Sequence, residues 1–131
     1  MSLPASEFWF SLSIRRNRKS FLIGTLFLLG VLAAVLGGLY FFGVGKRVSI
    51  ILLVIFGLPL IFVSYNLAAQ RLRDFNLTGW LALLWLPINV LSDDYAELSS
   101  ALSLAFWIVL VFVPGTKGEN RYGPDPLEES R

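Results

Sequence analysis

Four long apolar runs separated by short polar breaks set the pattern of this chain. No charged residue falls in 21–45, 48–69, 79–92 or 98–116. A helix rises about 1.5 Å per residue, so about 20 apolar residues cross a hydrocarbon core of roughly 30 Å. The pattern predicts an all-α membrane protein, a small four-helix transmembrane bundle with spans at 21–45, 48–69, 78–92 and 97–114. Residues 1–20 read as an N-terminal interfacial segment, because Phe8-Trp9-Phe10 precedes Arg15-Arg16-Asn17-Arg18-Lys19 and rings beside cations suit the headgroup layer. Residues 115–131 read as a polar cytoplasmic tail, and 1–131 as a single integral membrane domain. The run from Phe21 to Gly45 is too long for the core of a cleaved signal peptide, which spans about 7–15 residues.

Details within the runs refine this picture. Gly30, Ala34 and Gly38 recur every four residues on one helix face, where small side chains permit close approach. They are read as a helix-packing face, within the chain or between two copies. Gly43-Val44-Gly45-Lys46-Arg47 is a tight turn that makes the first two spans a hairpin. Pro59, after Gly57, predicts a kink in the second span. The third run, Gly79 to Leu91, contains Pro87 and Asn89, and its helical length of about 20 Å is short for a bilayer. A short full crossing is preferred there over a re-entrant segment. Ser92-Asp93-Asp94-Tyr95-Ala96-Glu97 reads as a solvated acidic turn, with Ser92 or Asp93 capping the next helix. Ser99 and Ser103 share a face expected to meet a neighbouring helix.

Composition adds mainly exclusions. The 131 residues are 56% hydrophobic and 15% charged, against about a quarter charged in a soluble domain. Cysteine and histidine are both absent, which removes thiolate chemistry, the commonest general base and the commonest metal ligand. No catalytic residue, metal, cofactor or nucleic-acid partner is therefore expected. The charge distribution carries an orientation. With four spans, one side holds Arg15, Arg16, Arg18, Lys19, Arg71, Arg73, Lys117, Arg121 and Arg131, and the other holds Lys46 and Arg47. The excess of cations inside places both termini in the cytoplasm.

One dense polar island, Gln70-Arg71-Leu72-Arg73-Asp74-Phe75-Asn76-Leu77-Thr78-Gly79-Trp80, lies on that side. Arg71 and Arg73 continue the end of the second span, and Arg71 and Asp74 are spaced to pair on one helix face. Asn76 or Thr78 is expected to cap the next helix, and Trp80 to sit at the interface.

The motif Arg71-Leu72-Arg73-Asp74…Thr78-Gly79-Trp80 resembles the Arg-Leu-His-Asp…Ser-Gly-Trp-Trp signature of the domain of unknown function 805 family of small bacterial inner-membrane proteins. The stretch Pro114-Gly115-Thr116…Asn120-Arg121-Tyr122-Gly123-Pro124-Asp125-Pro126 is similar to that family's closing motif, and Arg15…Arg18…Phe21 to its opening one. Arg73 stands where the family usually has histidine, Leu81 replaces a second tryptophan, and Ile14 replaces a glycine. The resemblance implies a fold and a bacterial inner-membrane location, and no activity.

All three motifs fall at the cytoplasmic face, so they are expected to meet in one polar cluster of Arg15, Arg18, Arg71, Asp74, Trp80, Asn120, Arg121 and Tyr122. Asp74 would accept from Arg15, Arg18 or Arg121, and the early tail would fold back near Trp80. Such a cluster is either an architectural clasp or a site for anionic lipid headgroups. The function expected is that of a non-enzymatic scaffold, partner subunit or lipid-interacting module, with the bilayer and a homo-oligomer or membrane-protein partner as its contacts. An oligomeric transporter or channel component is the alternative. A lipid-acting enzyme would have to rely on Asp74 or on Asp93, Asp94 and Glu97.

Overall fold

The computed structural model describes residues 9–85, 87 and 93–127. Expectations for residues 1–8, Asn89, Ser92 and 128–131 lie outside the described residues. Helix α1, Arg18–Phe41, starts where Asn17 is extended and its side-chain oxygen accepts from the Ser20 N–H at 2.9 Å. It stops at Gly43, whose φ of 59° is left-handed. There the Val44 N–H donates to Leu39 O at 3.1 Å and the Gly43 N–H to Tyr40 O at 3.2 Å, the paired bonds of a Schellman cap. Lys46 then opens helix α2, Lys46–Asp74, so the expected hairpin turn is present and tight.

Helix α2 runs continuously through Pro59 and on past Ala69 to include most of the polar island. It closes with the same device as α1. Asn76 takes φ 61°, and the Leu77 N–H donates to Leu72 O at 3.0 Å. Asn76 therefore ends α2 and does not cap the next helix, a role its left-handed backbone suits. Thr78 does occupy the capping position of the next element, though its side chain makes no capping bond.

That element is a 3₁₀ helix, Gly79–Leu84, in place of the α-helix expected from 78. A second short 3₁₀ turn, Asp93–Tyr95, leads into helix α3, Ala96–Phe112. Tyr95, not Asp93, is the residue before α3, and it makes no side-chain cap. Helix α3 ends at Val113, which is extended, as suits the residue before a proline. No strand occurs among the described residues, and only an isolated bridge pairs Asn120 with Gly123.

The described part of the N-terminal segment packs on the helices. It climbs beside α2: Phe10 stacks on Phe62, Trp9 meets Phe27 edge-on, and the Trp9 and Ser11 carbonyls accept from Asn66 and Gln70. A strap without regular secondary structure has unsatisfied carbonyls, and these two α2 amides supply the donors.

The core sits at one end. Its apolar members are Phe21, Val63, Leu67, Ala68, Leu72, Ala82 and Leu110. Phe21 stacks on Trp107, and Trp85 meets both Trp107 and Tyr65 edge-on. Gly24 lets α1 approach α2, since a Cβ there would stand 3.0 Å from Leu67 Cδ1. Among the described residues, none packs closely on the Gly30 and Gly38 positions of the expected strip. Nothing lies within 4 Å of a Cβ built at Gly30 or Gly38, and Gly30 and Ala34 are exposed. The close helix approach lies nearer the polar end, where Gly24 leaves room for Leu67.

Helices α1 and α2 are each long and apolar enough to cross a membrane, and only 11% and 6% of their apolar windows are buried. The core helix of a soluble protein would be mostly buried. The outer halves instead expose Leu26, Phe27, Leu29, Ile51, Val54, Ile55 and Leu58, and two such helices could span a membrane.

Candidate functional site

The interior at the core end is as polar as it is apolar. Arg15, Arg16, Ser20, Asn66, Gln70, Arg71, Asp74 and Asp125 are all buried. Burying such groups is costly unless each finds partners, so their bonds determine how this end is built.

Asp74 is the hub. Its Oδ1 accepts from Arg15 Nε at 3.1 Å and Arg15 Nη2 at 2.9 Å, while Oδ2 accepts from Arg71 Nη1. Its backbone carbonyl accepts from both the N–H and the hydroxyl of Thr116, each at 2.8 Å. Asp74 is thus bonded to the N-terminal strap, to its own helix and to the tail.

Arg15 reaches the tail with its remaining donors. Nη1 donates to Gly118 O at 2.7 Å and Gly123 O at 3.1 Å, and Nη2 to Thr116 O at 2.6 Å. A guanidinium has five N–H groups, and here each has an acceptor. The acceptors converge because Gly118 and Gly123 take φ values of 72° and 121°, which curl the tail around the guanidinium. Asp125 tightens that curl, accepting from the Gly118 N–H at 3.1 Å and the Leu127 N–H at 2.9 Å.

Arg71 holds the end of α3. Its Nε donates to Leu110 O at 2.7 Å and Nη2 donates to Val113 O. Leu110 O would ordinarily bond the N–H four residues on, but that residue is Pro114, which has none. Arg71 supplies the missing donor. Its guanidinium also lies 4.5 Å from the centre of the Phe75 ring.

Arg16 joins the strap to α2 at a second level. Its N–H donates to Gln70 O at 3.2 Å, its Nε to Gln70 Oε1 at 2.6 Å, and its Nη1 to Ser20 Oγ at 2.6 Å. Burial lowers its pKa to about 10, so it remains a cation at neutral pH.

Of the residues expected to cluster, Arg15, Arg71, Asp74 and Asn120 do meet. Asn120 Nδ2 donates to Arg73 O and to Thr116 Oγ1, each at 2.9 Å. Arg18 is exposed, within electrostatic reach of Arg71 and not bonded to Asp74. Arg121 reaches Asn76 O at 2.8 Å instead of Asp74 and lies over the Tyr122 ring. Trp80 is 78% exposed, and the tail folds onto Asp74 and not onto it.

Arg16, Gln70, Gly115 and Thr116 also belong to the network, although the sequence pattern does not single them out as site residues. A Cβ on Gly115 would fall inside the Asp74 carboxylate, so only glycine lets the tail cross there. Gln70 does carry a sequence signal, as an amide placed between an apolar run and a basic pair.

The family model described as "Protein of unknown function (DUF805)" matches residues 9–124. No curated protein and no solved structure matches.

Proposed function

The chain belongs to the DUF805 family, whose description states no function, and from that premise we propose a non-enzymatic, multi-pass protein of the bacterial inner membrane. It acts as a scaffold, partner subunit or lipid-interacting module, with both termini in the cytoplasm. The Arg15–Asp74–Arg71 cluster is an architectural clasp. The observation that carries this reading is the saturation of the cluster. Arg15 has an acceptor for every donor, and both Asp74 oxygens are engaged within the protein. A substrate or headgroup at that point would have to displace bonds already made.

The orientation rests on two supports. The strap, the end of α2, the end of α3 and the tail are bonded together at one end, whereas Lys46 and Arg47 begin α2 at the far tip of the hairpin. The cation-rich end faces the cytoplasm by the positive-inside rule. Four crossings at 21–45, 48–69, 78–92 and 97–114, within one domain, bring both termini to that side. An oligomeric transporter or channel component is the second reading, favoured by the open Gly30/Ala34/Gly38 strip.

Cysteine labelling tests the topology directly, because the chain has no native cysteine. In intact spheroplasts an impermeant maleimide is expected to label Lys46→Cys and to reach Lys117→Cys only after lysis. Labelling of both before lysis would overturn the orientation, and release of the protein by alkaline carbonate would overturn membrane insertion.

A further inference from the structure

The tip of the α1–α2 hairpin, at the opposite end from the clasp, gathers three rings and two cations. Tyr40, Phe41 and Phe42 are consecutive and are 91%, 80% and 78% exposed. Phe41 and Phe42 meet edge-on with ring centres 5.3 Å apart. Successive helical residues stand about 100° apart around the axis, so three consecutive rings spread around the tip and do not share one face. Lys46 and Arg47 follow directly after the turn, and both are exposed. No Asp or Glu occurs between Lys19 and Arg73, and the ion pairs among the described residues both belong to Asp74. The two cations also open α2, where the helix dipole adds to their positive charge and no acidic residue offsets it.

No described part of the chain covers this end. Counted along each axis from the Phe21–Trp107 contact, the tip extends about 14 Å past Ala96, so Asp94 and Glu97 at the start of α3 lie well short of it. Nothing lies within 4 Å of a Cβ built at Gly37, Gly38, Gly43 or Gly45. The backbone of the turn is nonetheless closed on itself. The Phe42 N–H donates to Gly38 O at 3.0 Å and the Ser49 N–H to Gly45 O at 3.0 Å, while Ser49 Oγ donates to Val44 O at 3.1 Å. A turn whose polar groups are satisfied internally tolerates a poorly hydrated layer. From Arg18 to Phe41, α1 rises about 35 Å, slightly more than a hydrocarbon core of about 30 Å. With the clasp end at one membrane surface, the rings and the two cations fall at the other.

We propose that Tyr40, Phe41, Phe42, Lys46 and Arg47 form a docking surface for anionic phospholipid headgroups at the membrane face remote from the clasp. Rings spread around a helix end suit a layer that surrounds them on all sides, and two uncompensated cations draw anionic lipid to it. The inference rests on the membrane reading above and adds what the far end binds.

The test is fluorescence quenching of the full chain reconstituted in vesicles of dioleoylphosphatidylglycerol and dioleoylphosphatidylcholine in equal amounts. The chain has no native cysteine, so an NBD maleimide is placed at Phe42→Cys or, as a reference within the bilayer, at Leu29→Cys, an exposed position about 20 Å away along α1. A doxyl quencher is carried at a shallow or a deep acyl position of either lipid. The Phe42 label is expected to be quenched mainly by the shallow doxyl, and about threefold more by phosphatidylglycerol than by phosphatidylcholine. Lys46→Gln combined with Arg47→Gln is expected to bring that ratio close to one. The Leu29 label is expected to be quenched mainly by the deep doxyl, without preference between the lipids. A Phe42 label that escapes both lipids while the Leu29 label is quenched would overturn the inference, assign the tip to water or a protein partner, and leave the membrane reading standing. Equal quenching by the two lipids, or a preference that survives both substitutions, would also overturn it. Loss of quenching at both positions would remove membrane insertion itself.

Discussion

Gly115 and Gly30 make opposite demands on a methyl group. At Gly115 the added carbon would overlap the Asp74 carboxylate, which is fixed from both sides by arginines. Gly115→Ala must therefore push the tail off the clasp and strip Asp74 and Arg15 of partners. Breaking a buried ionic network costs on the order of 3 kcal/mol, and detergent-solubilised thermal melting is expected to register that loss. Gly30 faces open space, and Gly30→Ala is expected to leave the same melt nearly unchanged. A large loss at Gly30 would mean that a second copy covers the strip. At this scale the sequence reveals some contacts and hides others. Arg71 and Asp74 are three residues apart on a helix, so their pairing can be read from spacing alone. The partners of Arg15 are backbone carbonyls of a curled tail, and no residue type marks a carbonyl. Arg16 and Gln70 are obscured for the same reason, since the strap they hold has no periodicity.

Among the elements, α2 and the pieces bonded to its last turns hold the assembly. Hydropathy ends at Ala69, whereas the helix continues to Asp74 because Gln70, Arg71 and Asp74 are buried beneath the strap and tail. The helix thus runs five residues past the apolar run 48–69, with Arg71 and Arg73 continuing its end as expected. The start of the predicted third span differs from the expected α-helix over Gly79–Leu84. Gly79 admits Arg73, and the chain tightens into 3₁₀ geometry over Gly79–Leu84, which hydropathy does not distinguish from an α-helix. Two substitutions separate the roles of α2. Gln70→Ala removes the donor to Ser11 O and the acceptor for Arg16 Nε. Hydrogen exchange is expected to rise across 9–17 while α2 stays protected, at a cost of about 1–3 kcal/mol. Unchanged exchange there would mean that the aromatic contacts of Trp9 and Phe10 suffice. Arg71→Lys keeps the charge but cannot serve Asp74, Leu110 O and Val113 O together. Faster exchange confined to the last turn of α3, with about 2 kcal/mol lost, is the expected signature.

Among the described residues, the buried interior holds Arg15, Arg16, Gln70, Arg71 and Asp74 beside a small apolar core, while the long apolar runs of α1 and α2 are largely exposed. Measured along each axis from the Phe21–Trp107 contact, α1 continues about 30 Å to Phe41 and α3 only about 16 Å to Ala96. The outer hairpin thus rises beyond α3 with little packed against it, and its leucines, isoleucines and phenylalanines remain exposed. Charge segregation along the chain made the helical class and the shared position of the strap, island and tail legible. It could not reveal that the core would collect at that one end, because hydropathy is nearly uniform along the apolar runs.

The central claim is that Asp74 binds the strap, α2, α3 and the tail into one unit. Thermal unfolding of Asp74→Asn against the unmodified protein, in the same detergent and lipid, tests it most directly. The substitution keeps the shape and removes the charge, leaving two buried guanidiniums without their carboxylate. The account predicts a loss on the order of 3–5 kcal/mol with helix content retained below the transition. An unchanged transition would contradict it and reduce the clasp to decoration.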